Sequence, residues 1–223
     1  MWKEIEPAPA DAILGLTEAF KKDNNPKKVN LGVGVYEDGQ GKTPVLKCIK
    51  AAEKRLLETQ TTKGYLPISG DPEYSLGVQE LIFGAESDVI REGRAVTVHS
   101  PGGTGALRVG AELLKKFKPN AKLWVSSPTW ANHKGIFAAA GFAVEDYPYY
   151  CPETHGVAFD AMVACLEKIS PDDVVLLHVC CHNPTGVDLS ATQWDRVLDI
   201  AVKKGWIPFL DFAYQGFGEG VAA

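Results

Sequence analysis

Residues Val174 to Val179 read Val-Val-Leu-Leu-His-Val, a run that is apolar at every position except His178. A strand with one solvated face alternates apolar and polar residues, whereas a strand of a parallel sheet is covered on both faces and is apolar throughout. The run therefore predicts an inner strand of a parallel sheet. Ser190 and Gln193 have the spacing of a capping box, which predicts that a helix follows this strand.

Further strands are predicted on both sides of this run, with helical patterns between most of them. The predicted strands are residues 27–36, 95–99, 123–126, 144–149 and 206–210. Strands that alternate with helices favour βαβ units, so we expect an α/β fold with a mostly parallel sheet flanked by helices. Ligands bind at the carboxyl ends of the strands in such sheets, so the residues that follow each strand are the candidates for a site.

The composition excludes several classes of protein. The 223 residues are 45% hydrophobic and 23% charged, with a formal net charge of −5. A disordered chain needs low hydrophobicity and high net charge, and a nucleic-acid-binding domain needs a basic surface. No apolar run approaches the roughly 20 residues of a membrane-spanning helix. The first residues also lack the apolar segment of a secretory signal, so we expect neither nucleic acid nor membrane as a partner.

The cysteines indicate a reducing compartment. Five cysteines are an odd number, and a disulfide framework favours an even one, so free thiols are expected. Cys180, Cys181 and His182 are consecutive, but a zinc site needs a second pair of ligands that converges on the first, and the sequence has none. No metal is expected.

A run of small residues follows the predicted strand at 95–99. It reads Ser100-Pro101-Gly102-Gly103-Thr104-Gly105 and leads into a helix. Free N–H groups at a helix N-terminus suit a phosphate, and a threonine hydroxyl adds a donor. The run matches neither the P-loop nor the dinucleotide-binding glycine pattern, so an ordinary tight turn is an equally good interpretation.

Three other strand ends carry candidate residues. Trp130 suits stacking on a planar ring, although a lone tryptophan more often fills a core. Asn183 can donate to one group and accept from another, or it belongs to a simple Asn-Pro turn. Asp211 lies between leucine and phenylalanine, where a buried carboxylate needs a partner such as a cationic ring nitrogen. Tyr214 adds a phenol three residues later, and the alternative is that Asp211 caps the following turn.

Together these motifs resemble the class I pyridoxal-phosphate aminotransferases. The matching segments are Gly102-Gly103-Thr104-Gly105-Ala106-Leu107-Arg108, Pro128-Thr129-Trp130-Ala131-Asn132-His133, His182-Asn183-Pro184-Thr185-Gly186 and Asp211-Phe212-Ala213-Tyr214-Gln215-Gly216-Phe217. Further matches lie at residues 10–16, 30–36 and 65–68. The resemblance therefore covers nearly the whole chain, from about Pro9 to Phe217.

The resemblance implies pyridoxal 5'-phosphate as cofactor and a role for each matching residue. Gly103 and Thr104 hold the cofactor phosphate, and Trp130 stacks on the pyridine ring. Asn183 hydrogen-bonds the ring hydroxyl and touches the substrate α-carboxylate. Asp211 pairs with the protonated pyridine nitrogen, which makes the ring a better electron sink.

The remaining roles follow from the same resemblance. Tyr214 hydrogen-bonds the ring oxygen, and Asp211 and Tyr214 are the expected catalytic residues. His133 lies behind the Asp211 carboxylate, and Gly34 lies beside the substrate. Tyr65 reaches the cofactor phosphate of a neighbouring subunit, so a homodimer is implied for the full-length protein.

One family residue has no counterpart here. The family anchors its cofactor as a Schiff base on a lysine of a Ser-x-x-Lys motif, one strand after the position of Asp211, and no lysine follows Lys204 in this sequence. Residues 1–223 are therefore expected to be the first part of a longer enzyme, inactive alone. Residues 1–43 are expected to form an N-terminal arm and part of a small domain, and residues 44–223 an incomplete cofactor-binding large domain.

The expected reaction moves an amino group between aspartate, or glutamate, and a 2-oxo acid, in a ping-pong mechanism through pyridoxamine phosphate. Aromatic amino acids are the alternative substrates within the family. The alternative to an enzyme is a truncated, non-catalytic fragment. The cytoplasm is the expected compartment, with a mature mitochondrial chain as the alternative.

Overall fold

The computed structural model describes residues 12–29 and 34–221, which belong to two compact units, residues 1–63 and 64–223. In the first unit, helix α1 spans Ala12–Lys22 and helix α2 spans Lys47–Thr59. Residues 27–29 and 34–36 form no strand, so the strand predicted over 27–36 is wrong there, and residues 30–33 lie outside the described residues. Alternation alone predicted this strand, but a strand also needs a neighbour to pair with.

The second unit contains a sheet with helices between its strands. The helices are α3 (Pro72–Phe83), α4 (Asp88–Arg91), α5 (Gly102–Phe117), α6 (Ala131–Ala139), α7 (Phe159–Leu166) and α8 (Ala191–Lys204). The strands are β1 (Lys122–Ser127), β2 (Ala143–Pro148), β3 (Tyr150–Cys151), β4 (Gly156–Val157), β5 (Val174–His178) and β6 (Ile207–Asp211). Four of these strands form a parallel sheet in the order β2-β1-β5-β6, while β3 and β4 form a short hairpin. The α/β fold with a parallel sheet flanked by helices is confirmed.

Strand β5 is covered on both faces, as its composition predicts. Val174 and Leu176 belong to a core cluster with residues of α5 and α6. Val175 and Leu177 belong to a second cluster with residues of α7 and α8. Because successive side chains of a strand point to opposite faces, the four consecutive apolar residues supply both cores at once.

The predicted strand at 95–99 is wrong. Its residues form no ladder with any strand in the described part of the chain, and Val96 and Val98 are exposed. The N–H of His99 donates to the carbonyl of Ser69, and Gln79 reaches Ala95 and Thr97 through its side chain. An alternating pattern shows that residues are suited to a strand. Whether a strand forms depends on a second strand to pair with, which the pattern does not provide.

The direction of α5 places its first turn near the candidate site. The helix ends at Phe117, and only four residues separate it from the start of β1. The last turn of α5 is therefore at the amino edge of the sheet, and its first turn points towards the carboxyl edge. Gly110 allows close packing on β6, since a Cβ there would lie 2.9 Å from the Phe209 ring.

The helix at 191–204 begins as its capping box predicts. The Ser190 hydroxyl accepts from the N–H of Gln193, and the Gln193 side chain accepts from the N–H of Ser190.

No helix in the described part of the chain combines the length and the apolar character that crossing a membrane requires.

Asp173 fastens β1 to the start of β5. Its buried carboxylate accepts from the N–H of Lys122 at 2.9 Å and from the indole N–H of Trp124 at 3.1 Å.

Asp173→Ala is expected to lower the free energy of unfolding by about 2–3 kcal/mol, because it leaves partly buried donors without an acceptor. Urea denaturation measures this, with Asp195→Ala on the exposed face of α8 as the control. Equal stability of the two variants would contradict the assignment.

Candidate functional site

The candidate residues collect at the carboxyl edge of the sheet, where the strand order changes direction. From β1 the chain moves outward to β2, and it then returns to form β5 and β6 on the other side of β1. Such a switch point leaves a crevice between the two central strands. The backbone pairing of β1 with β5 is confined to Leu123 with Val174 and Trp124 with Val175, so it ends well before the carboxyl edge.

Asp211 and His133 form the centre of the site. Asp211 is the last residue of β6, and His133 lies in the first turn of α6. The Nε2 atom of His133 is 2.9 Å from Oδ2 of Asp211, and the His133 side chain is fully buried. An ionised carboxylate only accepts, so Nε2 of His133 donates this bond. The Thr129 hydroxyl lies 2.8 Å from the other ring nitrogen, Nδ1.

This arrangement keeps Asp211 ionised. Burial works to raise the pKa of Asp211, but the His133 hydrogen bond, the neighbouring histidines and the N–H of Ala213 outweigh it and hold the pKa below its ordinary value. The Asp211 side chain keeps 16% of its surface exposed. The site therefore presents a fixed negative charge with little solvent around it, which suits a cationic group on a bound molecule.

His178 adds an unsatisfied polar side chain beside this charge. It ends β5 directly opposite Asp211 in the strand register, with its ring 5.1 Å from that of His133. Both His178 nitrogens are buried and have no hydrogen-bond partner within the described residues. Burial, with a smaller contribution from His133, lowers the pKa of His178 to about 4, so the ring is neutral. Buried polar atoms without partners indicate that a bound group or water completes the site.

Trp130 packs partly against the core, as one of its two interpretations predicts. It immediately precedes α6, is half-buried, and packs partly against the core cluster below the site. Its ring meets His133 edge-on, with centroids 5.3 Å apart and planes at 87°. Trp130 is therefore fixed next to the His133–Asp211 pair, and stacking on a ligand ring stays a prediction.

Gly103 and Thr104 lie in the first turn of α5 rather than in the loop before it. Both residues are exposed, and the helix has no side-chain cap at this end. A Cβ built at Gly102 or Gly103 would meet no atom within 4 Å, so the space above this turn is open. An open, uncapped helix N-terminus at the carboxyl edge is suited to an anion.

The loops that carry Asn183 and Tyr214 are linked to each other. The thiol of Cys180, in the loop after β5, donates to the backbone carbonyl of Tyr214, in the loop after β6. Asn183 and Tyr214 are both half-buried. The bond between Asn183 and Pro184 is cis, which the sequence allowed, and so is the bond between Ser127 and Pro128.

Two candidates remain, Tyr65 and Gly34. Tyr65 is fully exposed, with no part of its ring covered. Gly34 belongs to the first unit and is exposed there. Their expected roles at the cofactor phosphate and beside the substrate stay predictions.

Sequence reasoning missed three residues that shape the site, namely Thr129, His178 and His182. His178 has a recognisable signal, because it ends an otherwise apolar strand and so lies at the carboxyl edge. Thr129 is four residues before His133 but precedes α6, so the contact between them is local and the spacing rule for helices does not predict it. His182 has no such signal, since its partners Ser126 and Tyr149 are distant in sequence.

The described residues contain one group with metal-ligand geometry. It consists of His133, His178 and Asp211, whose ligand atoms lie within 4.8 Å of one another. Both nitrogens of His133 and one carboxylate oxygen of Asp211 are already engaged in hydrogen bonds, whereas both nitrogens of His178 have no partner among the described residues. Cys180, Cys181 and His182 do not form such a group.

Comparison with known proteins places this chain in a family. The family model described as aminotransferase class I and II matches residues 26–223. The aspartate aminotransferase of Salmonella typhi is 52% identical over 221 residues, and the aromatic-amino-acid aminotransferase of Pseudomonas aeruginosa is 47% identical over 218. The alignments cover 99% and 98% of this chain but only 56% and 54% of those proteins. The chain thus spans little more than half the length of these relatives.

A solved structure agrees with the sequence matches. The aromatic-amino-acid aminotransferase of Burkholderia pseudomallei, covalently bound to pyridoxal phosphate, superimposes with a TM-score of 0.94 at 49% identity. The superposition covers all of this chain and 56% of that one.

The buried histidines predict a loss of stability in acid. The pKa of His178 is about 4 and that of His182 about 3, both below the ordinary value of 6.5, chiefly because of burial. The unfolded chain takes up protons first as the pH falls, so the stabilisation present above pH 6.5 is lost progressively towards pH 3–4. Each histidine contributes a slope of up to ~1.4 kcal/mol per pH unit.

Urea denaturation at pH 5, 6 and 7.5 measures this slope. His182→Gln is expected to remove about half of it. His155→Asn is the control, because His155 is exposed and its left-handed backbone suits asparagine. A slope in His182→Gln equal to that of the parent chain would contradict the assignment.

Proposed function

This chain belongs to the class I and II aminotransferases, and from that premise we propose that it binds pyridoxal 5'-phosphate as part of an enzyme that transfers the amino group of aspartate or glutamate to a 2-oxo acid. The observation that carries the proposal is the Asp211 carboxylate, held ionised by His133 at the carboxyl edge of the sheet.

The residues present fit this cofactor. The fixed charge of Asp211 matches a protonated pyridine nitrogen, and the uncapped first turn of α5 matches a phosphate. The unpartnered nitrogens of His178 support a site that a bound group completes.

We assign the cofactor contacts accordingly. Gly103 and Thr104 bind the phosphate through the first N–H groups of α5 and the threonine hydroxyl. Trp130 covers one face of the pyridine ring, while Asn183 donates to the ring hydroxyl oxygen and contacts the substrate α-carboxylate. Tyr214 donates its phenol hydrogen to the same ring oxygen.

The chemistry follows from the charge at Asp211. When bound, pyridoxal phosphate supplies an electron sink for the pair left at the substrate α-carbon after proton loss. Asp211 keeps a proton on the ring nitrogen, because an ionised acceptor stabilises the protonated ring. His133 donates to Asp211, and its complete burial keeps water from replacing that bond.

Aspartate is proposed as substrate because the bacterial aspartate enzyme is more similar to this chain than the aromatic one is. The aromatic enzymes are the second candidate, since one of them gives a close structural match. The side chains that choose between the two substrates are not identified among the described residues.

Assembly, domain roles and compartment belong to the same proposal. A homodimer of the full-length protein is supported by the complete exposure of Tyr65 and by helices α2 and α3, which bury none of their residues. Residues 1–43 would form the arm and part of a small domain, with Gly34 beside the substrate, and residues 44–223 the large domain. Five free cysteines support the cytoplasm.

Binding of pyridoxamine phosphate tests the cofactor site, because this form lacks the aldehyde that attaches to lysines at random. The parent chain is expected to bind it saturably, with quenching of tryptophan fluorescence. Asp211→Asn is expected to weaken binding about 10- to 100-fold, the effect of losing one charged hydrogen bond. Asp195→Asn is the matched control on an exposed helix face. No saturable binding, or equal affinity in Asp211→Asn, would overturn the assignment.

Amino-group transfer tests the substrate. A protein that contains this chain together with the rest of the family's length is expected to transfer nitrogen to 2-oxoglutarate from aspartate with a higher kcat/KM than from phenylalanine. A higher kcat/KM for phenylalanine would favour the aromatic alternative instead.

A further inference from the structure

The side chain of His182 is buried and makes a stacking contact and two hydrogen bonds, although the proposed function gives it no contact with cofactor or substrate. The residue is 2% exposed, and its ring stacks on Tyr149 with centroids 3.9 Å apart and planes at 11°. Its Nε2 atom is 2.8 Å from the Ser126 hydroxyl, and its Nδ1 atom is 2.8 Å from the Thr185 hydroxyl. A neutral imidazole offers one donor and one acceptor, so both of its polar atoms are satisfied.

The loop that contains His182 is closed by its own hydrogen bonds. The Asp188 carboxylate accepts from the N–H groups of Cys181 and His182 at 2.7 and 2.8 Å. The N–H of Gly186 donates to the carbonyl of His182 at 2.7 Å. Residues 181–188 therefore form a compact unit that carries Asn183 with it.

Ser126 lies on the opposite side of the crevice between β1 and β5. It is fully buried near the end of β1, four residues before Trp130. The backbone ladder between these strands stops at Trp124 and Val175. Further along β5, the carbonyl of Leu176 accepts from the Tyr147 hydroxyl. The bond between His182 and Ser126 thus joins the two strand ends where the backbone ladder is absent.

We infer that His182 is a positioning residue, which fastens the loop bearing Asn183 to the end of β1 and so fixes Asn183 and Trp130 relative to each other across the pocket. This inference rests on the proposed function, in which Asn183 recognises the cofactor ring hydroxyl and Trp130 covers the ring. His182 acts through Ser126 on one side and through its own backbone on the other.

The test compares two ligands, pyridoxamine phosphate and its analogue without the ring hydroxyl. The parent chain is expected to prefer the first by about 100-fold, because the hydroxyl oxygen accepts one hydrogen bond from Asn183 and one from Tyr214, each worth about tenfold. His182→Phe keeps the stacking on Tyr149 but loses both side-chain hydrogen bonds. Ser126→Ala is milder, because it removes only the hydroxyl that bonds to His182. Both variants are expected to reduce the preference to about tenfold, the part due to Tyr214, and Asn183→Ala is expected to do the same.

If His182 only stabilises the core, its loss would weaken the binding of both ligands equally and leave the preference at about 100-fold, which would overturn the inference. His155→Asn is the control and is expected to keep both affinities. If the parent chain binds neither ligand, the proposed cofactor site fails, and a second measurement then decides the inference.

That measurement is amide hydrogen exchange of the ligand-free chain. His182→Phe and Ser126→Ala are each expected to speed exchange about tenfold or more in residues 181–187 and also in residues 127–131, because the link couples the two segments. Faster exchange confined to residues 181–187 in His182→Phe, or no change in that loop for Ser126→Ala, would show that the segments are independent and would overturn the inference.

Discussion

The hydrogen bond from His133 to Asp211 is the interaction on which the site depends. It crosses from the start of α6 to the end of β6, so it exists only when the sheet and its helices are assembled. Burial alone would raise the pKa of Asp211 and so favour the neutral carboxyl group, which does not attract a cation. The fold thus maintains, at the carboxyl edge of the sheet, a charge that the proposed cofactor needs.

The strand order places the pocket beside this charge. Parallel strands bring all their carboxyl ends to one edge, and the reversal of direction between β1 and β5 separates two of those ends. Trp130 follows one of these strands and Asn183 the other. In the crevice, β1 and β5 have no backbone hydrogen bonds to hold them together. Side-chain hydrogen bonds such as that between Ser126 and His182 connect the two sides there.

Most of the fold could be predicted from the residues themselves, because burial dictates composition. The strands at 123–126, 144–149, 174–179 and 206–210 are present with boundaries shifted by at most one residue. The strand at 95–99 failed, because its alternating residues suit a sheet but find no partner in the described part of the chain. Trp130, His133 and Asp211 were predicted in part by chemistry and in part by resemblance, and the structure brings them into contact.

The sequence by itself determined that residues 174–179 are covered on both faces and that polar residues lie at the ends of the strands, since both follow from which residues tolerate burial. Only the tertiary structure decided which of these side chains meet. Asp211 and His133 are 78 residues apart, and Ser126 and His182 are 56 apart. Contacts over such separations depend on the order and register of the strands, which no local pattern encodes.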